Sequence, residues 1–123
     1  MRRLVELFAF DDDAVATDEL VELRYRTSLD PRTRASYERM FPAPRQRWVD
    51  DLALDEAALR RLTQPTLLVH GYEDEVIPFA QSSLRALELL PNAELHAFRN
   101  CGHWVQIEQT QRFTRVLTDF LEA

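Results

Sequence analysis

Only two glycines, Gly71 and Gly102, occur in the 123 residues, where average usage would supply about eight or nine. They stand too far apart to flank one serine, so the G-x-S-x-G turn that exposes a nucleophile between a strand and a helix is excluded. Cysteine is represented once, by Cys101, which rules out an internal disulfide framework and a cysteine metal cluster and suits a reducing compartment. Positive charge is also in deficit: 15 basic against 21 acidic residues give a net charge of −6 and a pI near 5.0. Nucleic-acid binding, which needs a basic face to displace counterions, is therefore not expected, and neither is an anionic membrane surface. Long apolar runs are missing as well. The stretch after Met1-Arg2-Arg3 is interrupted by Glu6 and ended by Asp11-Asp12-Asp13 before a signal-peptide core can form. The expectation is a cytoplasmic protein, neither exported nor membrane-spanning.

What is present is globular in composition, with 46% hydrophobic residues. Leu4, Leu7 and Phe8, then Leu20, Val21 and Leu23, recur at helical spacing and predict two amphipathic helices, over 4–10 and 18–28. Thr17 is placed to cap the second, with Asp18 and Glu19 favourable in its first turn. Asp30-Pro31 opens a third helix that runs to about Met40, where Phe41-Pro42-Ala43-Pro44 stops it. From Pro65 the pattern changes. Thr66-Leu67-Leu68-Val69-His70 reads as a parallel strand buried on both faces, a helix follows over 79–90, and Ala93-Glu94-Leu95-His96-Ala97-Phe98 reads as a second strand. A last helix carries Phe113, Val116, Leu117, Phe120 and Leu121 on one stripe, which must pack against the sheet. Two strands leave an exposed edge and little surface for that stripe, so this half resembles the end of a larger sheet. The expected division is a helical segment over 1–62 and an α/β segment over 63–123.

Both loops that carry chemistry follow strand C-termini, where open parallel sheets place their catalysts. Asp74 lies three residues after Gly71 in a loop closed by Pro78, positioned to orient a histidine by accepting from Nδ1–H. His103 follows Gly102 and precedes Trp104, so the ring can be presented beside an apolar indole wall. An aspartate in a turn is ordinarily a local cap. The histidine loop is what favours the catalytic role. His70 and His96 read as structural, and neither fits a metal spacing, so no metal site is expected. Glu73 and Glu75 read as solvated, and Cys101 as a small buried residue, too near His103 in sequence to act as its nucleophilic partner. Ser82 and Ser83 fall inside a predicted helix, Ser28 and Ser36 in the helical half. Arg24, Arg45 and Arg47 each offer a guanidinium for a substrate carboxylate, against the ordinary reading of a solvated or ion-paired arginine.

Together, Pro65 to Asp74 and Leu95 to Glu108 resemble the C-terminal part of an α/β-hydrolase, with similarity to the meta-cleavage product hydrolases. The runs Asp18 to Tyr25 and Met40 to Trp48 are similar to the lid of 2-hydroxymuconate-semialdehyde hydrolases. The implied fold is α/β, two parallel strands with flanking helices preceded by a helical lid. The implied activity is hydrolysis of a carbon–carbon bond in a dienoate ring-cleavage product of a catechol by Ser, His and Asp, without a cofactor. The dienol is ketonised first, then its carbonyl is attacked with backbone N–H groups stabilising the oxyanion. The resemblance assigns Asp74 and His103 as acid and base, Arg24 to the substrate carboxylate end and Trp104 to the pocket wall. It implies as partners a small dienoate substrate and a nucleophile-bearing N-terminal hydrolase segment, with a homo-oligomer left open, and an isolated chain that does not label with a fluorophosphonate. Ester, lactone or haloalkane hydrolysis would reuse the same pair. A non-catalytic remnant that pairs with a partner chain is the reading from another class.

Overall fold

A computed structural model describes residues 1–123, with the side chains of residues 12 and 13, in the acidic run, outside the described set. The first half is helical: α1 Arg2–Phe8, α2 Asp12–Val15, α3 Asp18–Leu29, α4 Pro31–Met40, α5 Gln46–Leu52 and α6 Glu56–Arg60. The caps follow local chemistry. Thr17 accepts from the Leu20 N–H at the start of α3, and Asp30 accepts from the Arg32 N–H at the start of α4, whose first residue is Pro31. Asp55 caps α6 through the Ala58 N–H. No described helix is long and apolar enough to cross a membrane.

The second half is built on β1 Thr66–Gly71 and β2 Ala93–Phe98, paired in parallel from Thr66 opposite Ala93 to Gly71 opposite Phe98. The crossover holds a 3₁₀ turn, Phe79–Gln81, and α7 Ser83–Leu89, and the chain ends with α8 Val105–Glu108 and α9 Thr110–Glu122. The single helix expected over 79–90 is thus two pieces. Ser82 sits between them at φ −117° and ψ −91°, and its hydroxyl donates to the Pro78 carbonyl, which ends the first turn.

The core lies where β2, the loop after it and α8 meet. Phe98, Cys101 and Val105 are buried there, with Val69, Phe113 and Val116 packed against them. The α9 stripe therefore covers this cluster at one end, while Leu121 stays 73% exposed at the other. The expectation that β1 is buried on both faces is corrected: residues 66–69 are only half-buried and just His70 and Gly71 are buried. The cause is the sheet order, β1 beside β2 alone, which leaves one flank of each strand open. The helical half differs too. Val5 is the buried residue of α1, Leu4 and Leu7 remain exposed, and on α3 Leu20 and Val21 are partly covered while Leu23 is exposed.

Candidate active site

The loops that carry Asp74 and His103 are held together by the chain's two glycines. A Cβ on Gly71 would lie 1.9 Å from the Gly102 carbonyl oxygen and 2.5 Å from that of Cys101. One on Gly102 would lie 2.8 Å from the Phe8 oxygen and 2.9 Å from the Phe10 nitrogen. Neither glycine has a positive φ, so close approach of backbones, not conformational freedom, is what requires them. Three segments stack as a result: the end of β1, the loop at 100–104 and the stretch after α1. The histidine loop turns at Asn100, the residue with φ 54°, a region asparagine tolerates better than most.

Within this frame Asp74 is fully engaged. Its Oδ1 accepts from the Val76 and Ile77 N–H groups at 2.8 and 2.9 Å, a local turn that orients the carboxylate. Its Oδ2 accepts from His103 Nδ1 at 2.9 Å. The Asp74 side chain is 5% exposed and that of His103 28%. Burial alone would push the Asp74 carboxyl up, but the bonds from Ile77, His103 and Val76, with the charge of His103, outweigh it and hold the group below the usual carboxylate range. An ionised carboxylate can only accept, so the bond places a proton on Nδ1 and leaves Nε2 as the ring nitrogen able to accept one.

Behind the acid, His70 is 8% exposed, bonds Ser83 Oγ through Nδ1 at 2.6 Å and the Ile77 carbonyl through Nε2 at 2.9 Å, and lies 3.4 Å from Asp74 Oδ2. Since a carbonyl only accepts, Nε2 carries the proton and Nδ1 accepts from the Ser83 hydroxyl. The chain of Ser83, His70 and Asp74 is a brace for the acid loop. Ser83 is accordingly not a bystander within a helix but the residue that fixes this ring.

Glu73 is not solvated as expected. Its N–H donates to the Cys101 carbonyl at 3.1 Å, its Oε2 accepts from the Cys101 N–H at 3.2 Å, and its other oxygen pairs with Arg99. This reciprocal pair clips the acid loop to the histidine loop. Glu75 is exposed, and so is His96, which stands on β2 without the structural bonds that His70 makes. Cys101 is fully buried, and burial followed by the negative charges of Glu108 and Glu73 pushes its thiol up to about 12. A thiolate nucleophile is therefore excluded at neutral pH.

Beside His103 lies an apolar cleft of about 240 Å³, lined by Met1, Leu4, Phe8, Arg24, Thr33 and Trp104 among others. Phe8 stacks on the His103 ring at 5.1 Å and tilts against Trp104 at 5.0 Å. The Arg24 guanidinium stands 5.1 Å from the Trp104 ring. The structure thus brings Arg24 and Trp104 together next to the Asp74–His103 pair. Of the other two arginines considered, Arg47 pairs with Asp51 and Arg45 lies over Tyr37, both away from this cleft. Sequence reasoning missed Glu108, which binds three backbone N–H groups around His103. The sequence pattern marks Phe8 only as part of a helix stripe.

A family model for the alpha/beta hydrolase fold matches residues 5–110, a span that includes both members of the Asp74–His103 pair. The chain belongs to the α/β-hydrolase family. Within it, the chain is 53% identical over 121 residues to a 2-hydroxymuconate semialdehyde hydrolase of Pseudomonas sp. strain CF600, covering 98% of this chain and 42% of that protein. It is 48% identical over 123 residues to a 2-hydroxy-6-oxo-2,4-heptadienoate hydrolase of Pseudomonas putida, covering 100% of this chain and 44% of the relative. A crystal structure of the meta-cleavage product hydrolase CumD from Pseudomonas fluorescens IP01, complexed with acetates, superposes with a TM-score of 0.88 at 49% identity, over 99% of this chain and 44% of that one. The chain spans about two fifths of the length of the curated relatives it matches.

Proposed function

We propose that this chain supplies the lid, acid and base of a hydrolase that cleaves a carbon–carbon bond in a 2-hydroxy-6-oxo-dienoate, with residues 1–62 as lid and 63–123 as the C-terminal part of the core. The nucleophilic serine comes from a segment outside these 123 residues. One observation carries the reading: the Asp74–His103 pair at 2.9 Å lies beside an apolar cleft whose polar anchor is Arg24 on Trp104. A dienoate is a conjugated apolar body ending in a carboxylate. The cleft offers it an aromatic wall and one guanidinium, and a chain of net charge −6 needs that local cation to attract an anion at all. His103 Nε2 would take the proton of the attacking hydroxyl while Asp74 steadies the imidazolium. The acidic surface and buried lone thiol favour a reducing cytoplasm as its place of work.

The test is a fusion of this chain to the nucleophile-bearing segment of the CF600 relative, assayed by loss of dienoate absorbance. Turnover is expected, with a fall of about 10³–10⁴-fold in kcat for Asp74→Asn and a rise in KM of about 10–100-fold for Arg24→Gln, the loss expected for one charge-assisted bond. A folded fusion that hydrolyses aryl esters but not dienoates would overturn the substrate class. A folded fusion inert towards both would overturn the enzymatic reading.

A further inference from the structure

Three consecutive amides, of residues 102, 103 and 104, carry the histidine into the site, and each donates outside any helical turn or strand ladder of its own. The Gly102 and Trp104 N–H groups both donate to Glu108 Oε1, at 3.0 and 3.3 Å. The His103 N–H donates to the Phe8 carbonyl at 2.8 Å. Glu108 Oε2 in turn accepts from the Phe10 N–H at 2.7 Å, holding in place the segment that receives His103. The carboxylate therefore fixes the base directly on both sides and indirectly through its middle amide. A carboxylate has four acceptor sites on two oxygens, and three are filled here by backbone donors from two separate segments. A carboxamide keeps one acceptor oxygen and turns a donor on the rest.

We propose that Glu108 is a positioning residue that sets the His103 ring against Asp74 and locks the cleft wall formed by Phe8 to the same frame. The proposal rests on the acid–base reading of Asp74 and His103. Glu108 bonds the backbone amides of Phe10, Gly102 and Trp104 and neither the Asp74 carboxylate nor the His103 ring. Its effect is geometric, because the base sits on a loop whose backbone has no other acceptors holding residues 102 and 104 among the described residues. A displacement of about 1 Å at a catalytic group can cost about a hundredfold in rate.

The first readout is proton NMR of the chain, in which a His103 Nδ1–H bonded to a carboxylate gives a low-field resonance that Asp74→Asn removes. In Glu108→Gln that resonance is expected to broaden beyond detection while the far-ultraviolet circular dichroism stays that of the parent, and Glu108→Asp, which keeps the charge, is expected to restore part of it. In the fused enzyme Glu108→Gln should lower kcat about a hundredfold, more than it raises KM. Retention of the resonance at parental shift and intensity in Glu108→Gln overturns the proposal, as does an unchanged kcat. A measurement on the unaltered chain covers variants that do not fold: slow exchange of the Phe10, Gly102 and Trp104 amides supports the assignment, and fast exchange of all three overturns it. If the parent lacks the low-field resonance, the acid–base reading itself fails and takes this proposal with it.

Discussion

Replacing Gly71 by alanine isolates the steric core of the site. The added Cβ would sit 1.9 Å from the Gly102 oxygen, 2.5 Å from the Cys101 oxygen and 2.8 Å from the Gly102 carbonyl carbon, all backbone atoms that no rotamer change can move aside. Ordinary contact begins at 3.4 Å, so the histidine loop must retreat by about 1.5 Å. That distance breaks the two bonds between Glu73 and Cys101, at 3.1 and 3.2 Å, and the Asp74–His103 bond at 2.9 Å. Overpacking costs about 1–3 kcal/mol, and each lost bond adds about 1 kcal/mol. The sum, about 4–6 kcal/mol, is a large part of the roughly 5–15 kcal/mol that keeps a domain folded. Because Gly71 has no positive φ, the backbone itself would not object to alanine. In open space the substitution would stabilise by about 0.4–1 kcal/mol, so even the sign of the effect discriminates. Urea unfolding gives the free energy directly, and the melting point should drop by more than about 10 °C. A Gly71→Ala variant as stable as the parent would refute the stacked arrangement of loops on which the site depends. Gly102→Ala, whose nearest contacts are at 2.8–3.0 Å, should cost less, about 1–2 kcal/mol.

The Asp74 carboxyl is held below its unfolded value of 3.8, so its contribution to stability is complete above that value and is lost as pH falls through the lowered folded value. The stability gap between the parent and Asp74→Asn, measured by urea unfolding, should shrink as pH falls below about 4. A gap that widens below that pH would contradict the bonding described for this group. Cys101, with its thiol pushed up to about 12, should be thiolate in only about one molecule in ten thousand at pH 8. Iodoacetamide should therefore modify it slowly in the folded chain and rapidly in urea, and equal rates would show that the site is neither buried nor flanked by Glu73 and Glu108.

How much of this was legible follows from the range of each signal. The caps at Thr17 and Asp30 were readable because a cap bonds residues two or three positions away. The strands were readable from runs bounded by proline, glycine and asparagine, and their pairing brings residues 74 and 103 together through loops of similar length. What escaped was long-range or geometric. Glu73 lies beside Asp74 and was expected to point away, yet the close approach of Gly71 to residues 101 and 102 brings it within reach of Cys101. Glu108 is five residues beyond His103 on a one-turn helix, and no spacing rule marks a side chain that turns back to bind its own loop. The half-burial of β1 could not be read from Thr66 to His70, because an apolar run reports what a strand can bury and not which neighbours it has.

All 15 positive side chains of this sequence are arginine. The guanidinium plane stacks on aromatic rings as an ammonium does not, and the fold uses that repeatedly: Arg45 over Tyr37, Arg47 over Trp48, Arg99 over Tyr72 and Arg112 over Phe98. Stacking on Trp104 therefore does not by itself distinguish Arg24. Arg26, two residues on, is held by Glu22, whereas Arg24 has no carboxylate partner among the described residues. Its ring partner is the residue after His103, and the cleft they share is walled by the Phe8 that stacks on the base. An anion seated on Arg24 thus has its apolar body led along Trp104 and Phe8 towards His103. None of the other stacked arginines offers that path, and this is what supports the proposal that a substrate carboxylate is received at residue 24.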